Sequence, residues 1–359
     1  MKILIIKFRN IGDVLLSTPL ISNLRSIYPD SSIDFALNKG CEDMVSNNPD
    51  INNIIIYDRP RIKQLSIFSQ LKEEIKFSRN IRRNSYDMVI NLTEGERGAQ
   101  LALLSGAKVK LGFPVRKGLL SKVKIFDKLG DDKKWQHTVE KDLQFINLLG
   151  KEIVNKEVKI YWSSTVEQKI DKILADNKIG QFVHIHPVSR WMFKCWEDER
   201  MASVIDYLQQ DKGLKVIITG APVKKELERI DKILILCKTK PVDLSGKLTL
   251  NHLACLSSKA KLFFGVDTAP MHMAAAANTP VIALFGASFP VIWGPWNNDS
   301  DKVSFQDKDG FQTNGLHYVI SNMNHEIFYI DQIKKTRGMN LITLKQNKDA
   351  FIEVLKNIE

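Results

Sequence analysis

Residues 262–296, LFFGVDTAPMHMAAAANTPVIALFGASFPVIWGPW, constrain the chain more than any other stretch. Residues 262–266 are an apolar run of strand length, broken by Asp267-Thr268. Pro270 suits a first helical turn, and residues 271–277 are rich in strong helix formers. Asn278 and Pro280 end that helix, and residues 281–285 are a second buried-strand run. Strand, tight turn, helix and strand make one unit of a parallel α/β sheet. Thr268 or Asp267 is the expected N-cap. A helix N-terminus at the carboxyl end of a parallel strand offers free N–H groups and a positive dipole end to an anion. Ala269 is small enough to let a diphosphate approach the backbone, and His272 lies in the first turn. The same residues also suit a merely capped core helix with a satisfied histidine.

At 359 residues the chain has room for two ordinary domains. With 44% hydrophobic and 26% charged residues it is a globular chain, not a disordered one. No apolar run reaches the roughly 18 residues of a membrane span. The opening MKILIIKFRNIGDVLL is interrupted by Lys7, Arg9 and Asp13, so it reads as a first strand and turn, not as a signal peptide. Cys41, Cys195, Cys237 and Cys255 are scattered without a CxxC pair, which implies free thiols and no metal site. The net charge of +11 fits an anionic surface, a phosphorylated substrate or nucleic acid. No helix-turn-helix, zinc-finger or RNA-binding aromatic motif supports nucleic acid.

Strands and helices alternate on both sides of about residue 170. The expected domains are residues 1–165 and 166–335, with a C-terminal helical segment at 336–359. The first strand ends in Phe8-Arg9-Asn10-Ile11-Gly12-Asp13, which is not a GxGxxG fingerprint. A helix over 14–28 is kinked at Pro19 or restarted there with Thr18 as its cap. Residues 58–83 carry eight Lys and Arg, among them Arg61 and Lys63, against Asp58, Glu73 and Glu74. They form either a solvated helix face or a site for a phosphorylated substrate. Residues 92–98, which include Arg97, are a loop at a strand end. Asp131, Asp132, Lys133 and Lys134 form a charged loop, 151–164 a last strand and exit, and 348–358 a helix capped by Asn347.

The opening stretch resembles the signature of the lipopolysaccharide heptosyltransferase family, roughly D-[ST]-[GA]-P-x-H-x-A-A-A and then P-x-x-x-x-F-G. Here it stands as Asp267, Thr268, Ala269, Pro270, His272 and Ala274 to Ala277, then Pro280 and Phe285-Gly286. Gly12-Asp13 with Thr18-Pro19 resembles the family's G-D-x-[LV]-x-[TS]-x-P opening. Lys194 with Trp196 resembles its K-x-W, and Gly220 to Glu226 its glycine-to-glutamate spacing. The 92–99 loop and His137-Thr138-Val139-Glu140 are most similar to the third heptosyltransferase of the inner core. The resemblance covers nearly the whole chain.

It implies an α/β fold of two Rossmann-like domains facing across a cleft, the GT-B architecture. It implies inverting transfer of heptose from ADP-heptose to a lipopolysaccharide core acceptor, with no metal or other cofactor. By matched position Asp13 is the general base and Lys194 the diphosphate-binding lysine. Glu226 binds the ribose and Asp267 the heptose, with Thr268, Ala269 and His272 forming the diphosphate and sugar turn. Ser189 keeps one hydroxyl where some members have two threonines, since Val188 has none. Arg61, Lys63 and Arg97 are the candidate acceptor contacts. The expected location is the cytoplasm, docked on the anionic inner face of the inner membrane. Without the resemblance, Asp13 also reads as a helix N-cap and Lys194 as a surface lysine. A protein acceptor, a nucleotide-sugar epimerase of similar architecture and a basic binding module remain open from the residues alone.

Overall fold

The computed structural model describes residues 1–132, 135–299, 305–330 and 333–358, so Lys133 and Lys134 of the charged loop lie outside the described residues. The chain divides into two compact units, Met1–Tyr161 and Trp162–Glu359.

In the first unit, six parallel strands are β1 (Lys2–Lys7), β2 (Ser32–Asn38), β3 (Asn53–Tyr57), β4 (Met88–Asn91), β5 (Val109–Gly112) and β6 (Lys128–Leu129). Their order is β3-β2-β1-β4-β5-β6. It reverses direction between β1 and β4, as in a doubly wound sheet. Ile3 to Ile6 are wholly buried, as a central parallel strand covered on both faces requires. The helices are α1 (Ile11–Leu15), α2 (Thr18–Ile27), α3 (Arg59–Lys63), α4 (Ile67–Arg83), α5 (Glu96–Ser105) and α6 (Thr138–Leu148).

Three local expectations are corrected here. Pro19 restarts a helix, but the N-cap of α2 is Ser17 and not Thr18. Asp13 is not an N-cap either. Asn10 holds that position in α1, and Asp13 sits three residues on, accepting from the Asn10 backbone N–H at 3.3 Å. Residues 151–163 form no strand. They are tied down by side chains instead, with Val154 N–H donating to Asn23 Oδ1 at 2.8 Å and Lys159 N–H to Thr18 Oγ1 at 3.2 Å.

The second unit repeats the plan. Its parallel strands are β7 (Phe182–His186), β8 (Lys215–Ile218), β9 (Val242–Asp243), β10 (Leu262–Val266), β11 (Val281–Phe285) and, beyond β12 (Gly310–Asn314), β13 (His317–Ser321). Strand β12 is an antiparallel edge, and the order is β12-β13-β11-β10-β7-β8-β9. The reversal falls between β7 and β10. A separate hairpin is made by β14 (Ile327–Ile330) and β15 (Ile333–Thr336). Helices α7 (Ser164–Asp176), α8 (Asp198–Gln210), α9 (Lys224–Leu236), α10 (Leu250–Ser258) and α11 (Ala269–Ala276) join the strands. The short α12 (Pro290–Trp293) and α13 (Arg337–Leu341) precede the last helix, α14 (Leu344–Asn357). The cap of α14 is Thr343, with Gln346 completing a capping box, and not Asn347. Phe351 of α14 is buried against Phe264 of β10, with ring centroids 5.1 Å apart, so the terminal segment from 336 is part of the second unit's core.

A buried ion pair closes the first unit at the end of β1. Lys7 Nζ lies 2.9 and 2.7 Å from the two Asp142 oxygens, and both side chains are buried. Burial pushes the Asp142 carboxyl up to about 6, against the pull of Lys7. The folded chain therefore holds this proton to higher pH than the unfolded chain does, and the associated stability is lost as pH rises through about 6. We expect Asp142→Asn to remove that pH slope and, at neutral pH, to cost about 3 kcal/mol by leaving Lys7 buried without a counter-charge. Lys7→Met/Asp142→Leu should recover most of the loss. Urea unfolding of the three proteins between pH 4 and 8 tests this, and a double variant no more stable than Asp142→Asn would contradict it.

Candidate functional site

Strand ends beside a reversal in strand order are where a doubly wound sheet leaves backbone groups free for a ligand. The ends of β7 and β10 at the reversal, and of their neighbours β8 and β11, supply the polar residues of the second unit. After β7 come Ser189 and then a single 3₁₀ turn, Met192–Lys194. Trp196 anchors this loop, being buried and donating its indole N–H to the Ile342 carbonyl at 3.0 Å. After β8 the chain turns through Gly220-Ala221-Pro222 into α9, whose first turn carries Glu226. After β10 come Asp267 and Thr268, and after β11 comes Ser288.

Three of these loops meet at a carboxylate. Lys194 Nζ lies 2.5 Å from Asp267 Oδ2, and the Ser288 hydroxyl donates to the same oxygen. Asp267 is buried, whereas the Lys194 side chain keeps about a fifth of its surface exposed. An ammonium has three donors, so this pairing leaves Lys194 capacity for a further oxygen. Thr268 is the N-cap of α11, Ala269 its first residue, and Pro270 lies in the first turn, as the spacing predicts. The Thr268 hydroxyl turns back to the Val266 carbonyl at 3.3 Å instead of capping the helix, so the first N–H groups are not taken by that hydroxyl. His272 is buried in the same helix.

Glu226 is also buried, and one oxygen accepts from the Ala221 N–H at 3.0 Å. Burial raises its pKa, partly offset by that hydrogen bond. Ser189 is buried too, and its hydroxyl accepts from the Trp191 N–H at 3.1 Å, which shapes the loop leading to Lys194. Val188 is fully buried in the apolar core, so Ser189 alone presents a hydroxyl at this turn.

In the first unit, the loop after β1 gathers Arg9, Asn10 and Asp13. Arg9 Nε lies 3.2 Å from Asp13 Oδ1, and Asn10 Nδ2 lies 3.3 Å from Asp13 Oδ2. The loop after β4 joins it, with the Phe8 N–H donating to Thr93 Oγ1 at 2.8 Å. Asp13 is thus buried at the reversal point of its own sheet, with a cation beside it. The candidate acceptor residues are not gathered into one cluster. Arg97 pairs with Glu74 at 3.1 Å and lies over the Tyr57 ring at 4.2 Å, while Arg61 pairs with Glu73. Lys63 is exposed in the last turn of α3.

Two features escaped the sequence reading. Ser288 is one, although it follows the strand that closes the signature stretch. The other is a buried histidine network. His184 Nε2 and His186 Nδ1 both meet Thr219 Oγ1, at 2.8 and 3.0 Å, and His184 Nδ1 meets Ser257 Oγ at 2.9 Å. Burial holds His186 down to about 4 and His184 well below its ordinary value, so both are neutral at physiological pH. The alternating H-x-H of β7 was the signal, because residues two apart share a strand face. Among the described residues, no group of three or more His, Cys, Asp or Glu could hold a metal ion, and no helix is long and apolar enough to cross a membrane.

Comparison with known proteins adds three findings. The profile of glycosyltransferase family 9 (heptosyltransferase) matches residues 75–313. Lipopolysaccharide heptosyltransferase 3 of Escherichia coli is 35% identical over 298 residues, covering 80% of this chain and 84% of that one. Among solved structures, a family 9 glycosyltransferase from Veillonella parvula superposes with a TM-score of 0.81 at 22% identity, covering 99% and 97% of the two chains. The E. coli heptosyltransferase WaaC, solved with ADP, superposes at 0.73 with 20% identity over the full length of both. The two superpositions establish the GT-B fold, and the profile together with the 35% identity establishes that the chain belongs to glycosyltransferase family 9, the heptosyltransferases, and is a glycosyltransferase.

Proposed function

We propose that this enzyme transfers heptose from ADP-heptose to a sugar of the lipopolysaccharide inner core, with inversion at the anomeric carbon and without a metal ion. The observation that carries the reading is the Lys194–Asp267–Ser288 cluster beside the start of α11, at the reversal point of the second sheet. A cation and a helix N-terminus converge there, as a leaving diphosphate needs. The E. coli relative named for heptose transfer to lipopolysaccharide supports the donor sugar and the acceptor class, and the ADP in the WaaC structure supports the nucleotide.

In this scheme an acceptor hydroxyl oxygen attacks the anomeric carbon while the bond from that carbon to the diphosphate oxygen breaks. Direct displacement inverts the configuration. The hydroxyl proton passes to the Asp13 carboxylate, and the negative charge that develops on ADP is met by Lys194 and the first N–H groups of α11. Thr268, Ala269 and His272 line that turn, with Ala269 permitting close approach. Asp267 takes heptose hydroxyls, Glu226 the ribose, and Ser189 a further phosphate or sugar oxygen. Arg61, Lys63 and Arg97 serve the acceptor. The enzyme works in the cytoplasm, and the basic segments at 59–63 and 79–83 dock it on the anionic inner face of the inner membrane.

Incubation with ADP-heptose and a series of truncated core lipopolysaccharides should give a mass gain of one heptose on one member of the series. No gain on any member, with donor consumed or isomerised instead, would overturn the acceptor class. The reaction should also proceed undiminished in EDTA. Loss in EDTA, with recovery on adding magnesium or manganese, would assign the diphosphate charge to a metal and not to Lys194.

Asp13→Asn separates catalysis from structure. An amide oxygen can still accept from the Asn10 N–H, so melting should change little, but the amide cannot take a proton. Turnover should fall roughly 10²-fold or more with donor affinity unchanged. Turnover near that of the parent enzyme would remove Asp13 from the mechanism.

A further inference from the structure

Helix α4 presents an unusual face to solvent. Ile67 and Phe68 are 82% and 87% exposed, Leu71 59% and Ile75 42%. Lys72, Lys76, Arg79 and Arg83 lie beside them, and at 3.6 residues per turn the eight side chains occupy about half of the helix circumference. All of them but Ile67 line, with Asn80, one open groove from Phe68 to Arg83. The opposite face holds the helix to the protein. Ile81 is buried, and Phe77 packs edge-on against Tyr57 with ring centroids 5.2 Å apart.

The carboxylates of α4 are withdrawn from this face. Glu73 pairs with Arg61, and Glu74 with Arg97 and the Tyr57 hydroxyl. Lys72, Lys76, Arg79 and Arg83 have no ion-pair partner among the described residues. The face therefore carries four cations, four apolar side chains and no free acid. Contiguous apolar side chains this exposed are costly in water unless something covers them. A basic helix with one apolar flank has the composition of a segment that lies in a lipid interface, with its apolar side in the acyl boundary and its cations at the headgroups.

We propose that α4 is the membrane-seating element of this enzyme, with Phe68 and Leu71, flanked by Ile67 and Ile75, inserting among lipid chains while Lys72, Lys76, Arg79 and Arg83 engage anionic headgroups. The proposal rests on the surface-docking reading above and adds an apolar anchor to it. Charge complementarity selects the occupant. An apolar protein groove would not need four unpaired cations, and a free phosphate would not need Phe68.

The test is flotation of the full chain with vesicles of phosphatidylcholine alone or mixed with phosphatidylglycerol, at low and high salt and without ADP-heptose. The parent protein should float with the mixed vesicles only, and should retain part of its binding at high salt through the apolar contacts. Phe68→Ser/Leu71→Ser should weaken binding at least about ten-fold. Lys72→Gln/Lys76→Gln should weaken it about 25-fold at low salt, since each cation near an anionic surface is worth about a factor of five. All four positions are solvated, and unchanged melting temperatures would verify that the variants fold. If Phe68→Ser/Leu71→Ser floats like the parent, docking is purely electrostatic and the anchor is refuted. If the parent floats with neither vesicle, the docking reading falls as well. A parent protein that ignores vesicles but forms a dimer, which the Phe68→Ser/Leu71→Ser variant dissolves, would assign the face to a second copy of the chain. Because no sugar donor is present, none of these outcomes bears on the heptose-transfer reading.

Discussion

Parallel strands can be joined only by crossovers, and those crossovers place every strand's carboxyl end along the same edge of its sheet. Most of what this chain does follows from that constraint. Where the winding reverses, between β1 and β4 in one unit and between β7 and β10 in the other, neighbouring crossovers leave on opposite faces and the edge between them stays open. Asp13 stands at the first of these points, and Ser189, Lys194 and Asp267 at the second. Asp13 is held by its sequence neighbours Arg9 and Asn10, but the second group is drawn from distant parts of the chain. Lys194 and Asp267 are 73 residues apart and meet only because β7 and β10 are hydrogen-bonded neighbours.

The charged groups at these edges are managed in different ways. Lys7 and Asp142 are both sealed from water, and burial works against the carboxylate there even beside an ammonium. Lys194 and Asp267 are graded instead, with the carboxylate buried and the lysine partly open. The first pair suits a fixed joint between β1 and α6. The second leaves the ammonium partly open to solvent, with donors beyond the one given to Asp267. The histidines of β7 follow a third course. They stay uncharged because burial disfavours the added proton, and both His184 nitrogens and the His186 Nδ1 meet Thr219 or Ser257.

Legibility in the sequence tracked how local the cause was. The apolar runs of β1, β10 and β11 were plain, because a parallel strand buried on both faces is largely apolar. The turn into α11 was also plain, because Thr268 and Pro270 act on the backbone beside them. Strands β12 and β13 were missed, although β13 is fully buried, because the pattern weakens after Trp296 and their pairing is settled by β11. Caps were misplaced by a few residues at Ser17 and Thr343, where several Ser, Thr or Asn residues compete and packing chooses among them. The segment 151–163 was expected to be a strand but pairs with neither sheet. Its backbone groups are met by Asn23 and Thr18 instead.

The sequence by itself determined the class of fold, the turn at Asp267 to His272, the small residue at Ala269 and the absence of a GxGxxG fingerprint. These depend on backbone preferences and burial patterns over a few residues. Only the tertiary structure decided that Asp13 is a buried third residue of α1 beside Arg9, that Ser288 shares the carboxylate of Asp267 with Lys194, and that Arg97 is committed to Glu74 and Tyr57. It also decided which face of α4 meets water, since the basic residues of 58–83 look alike in sequence until Glu73 and Glu74 turn to partners on neighbouring elements. Short-range preference fixes an element. The partner of a charge is fixed by which strands pair, and that is a property of the whole sheet.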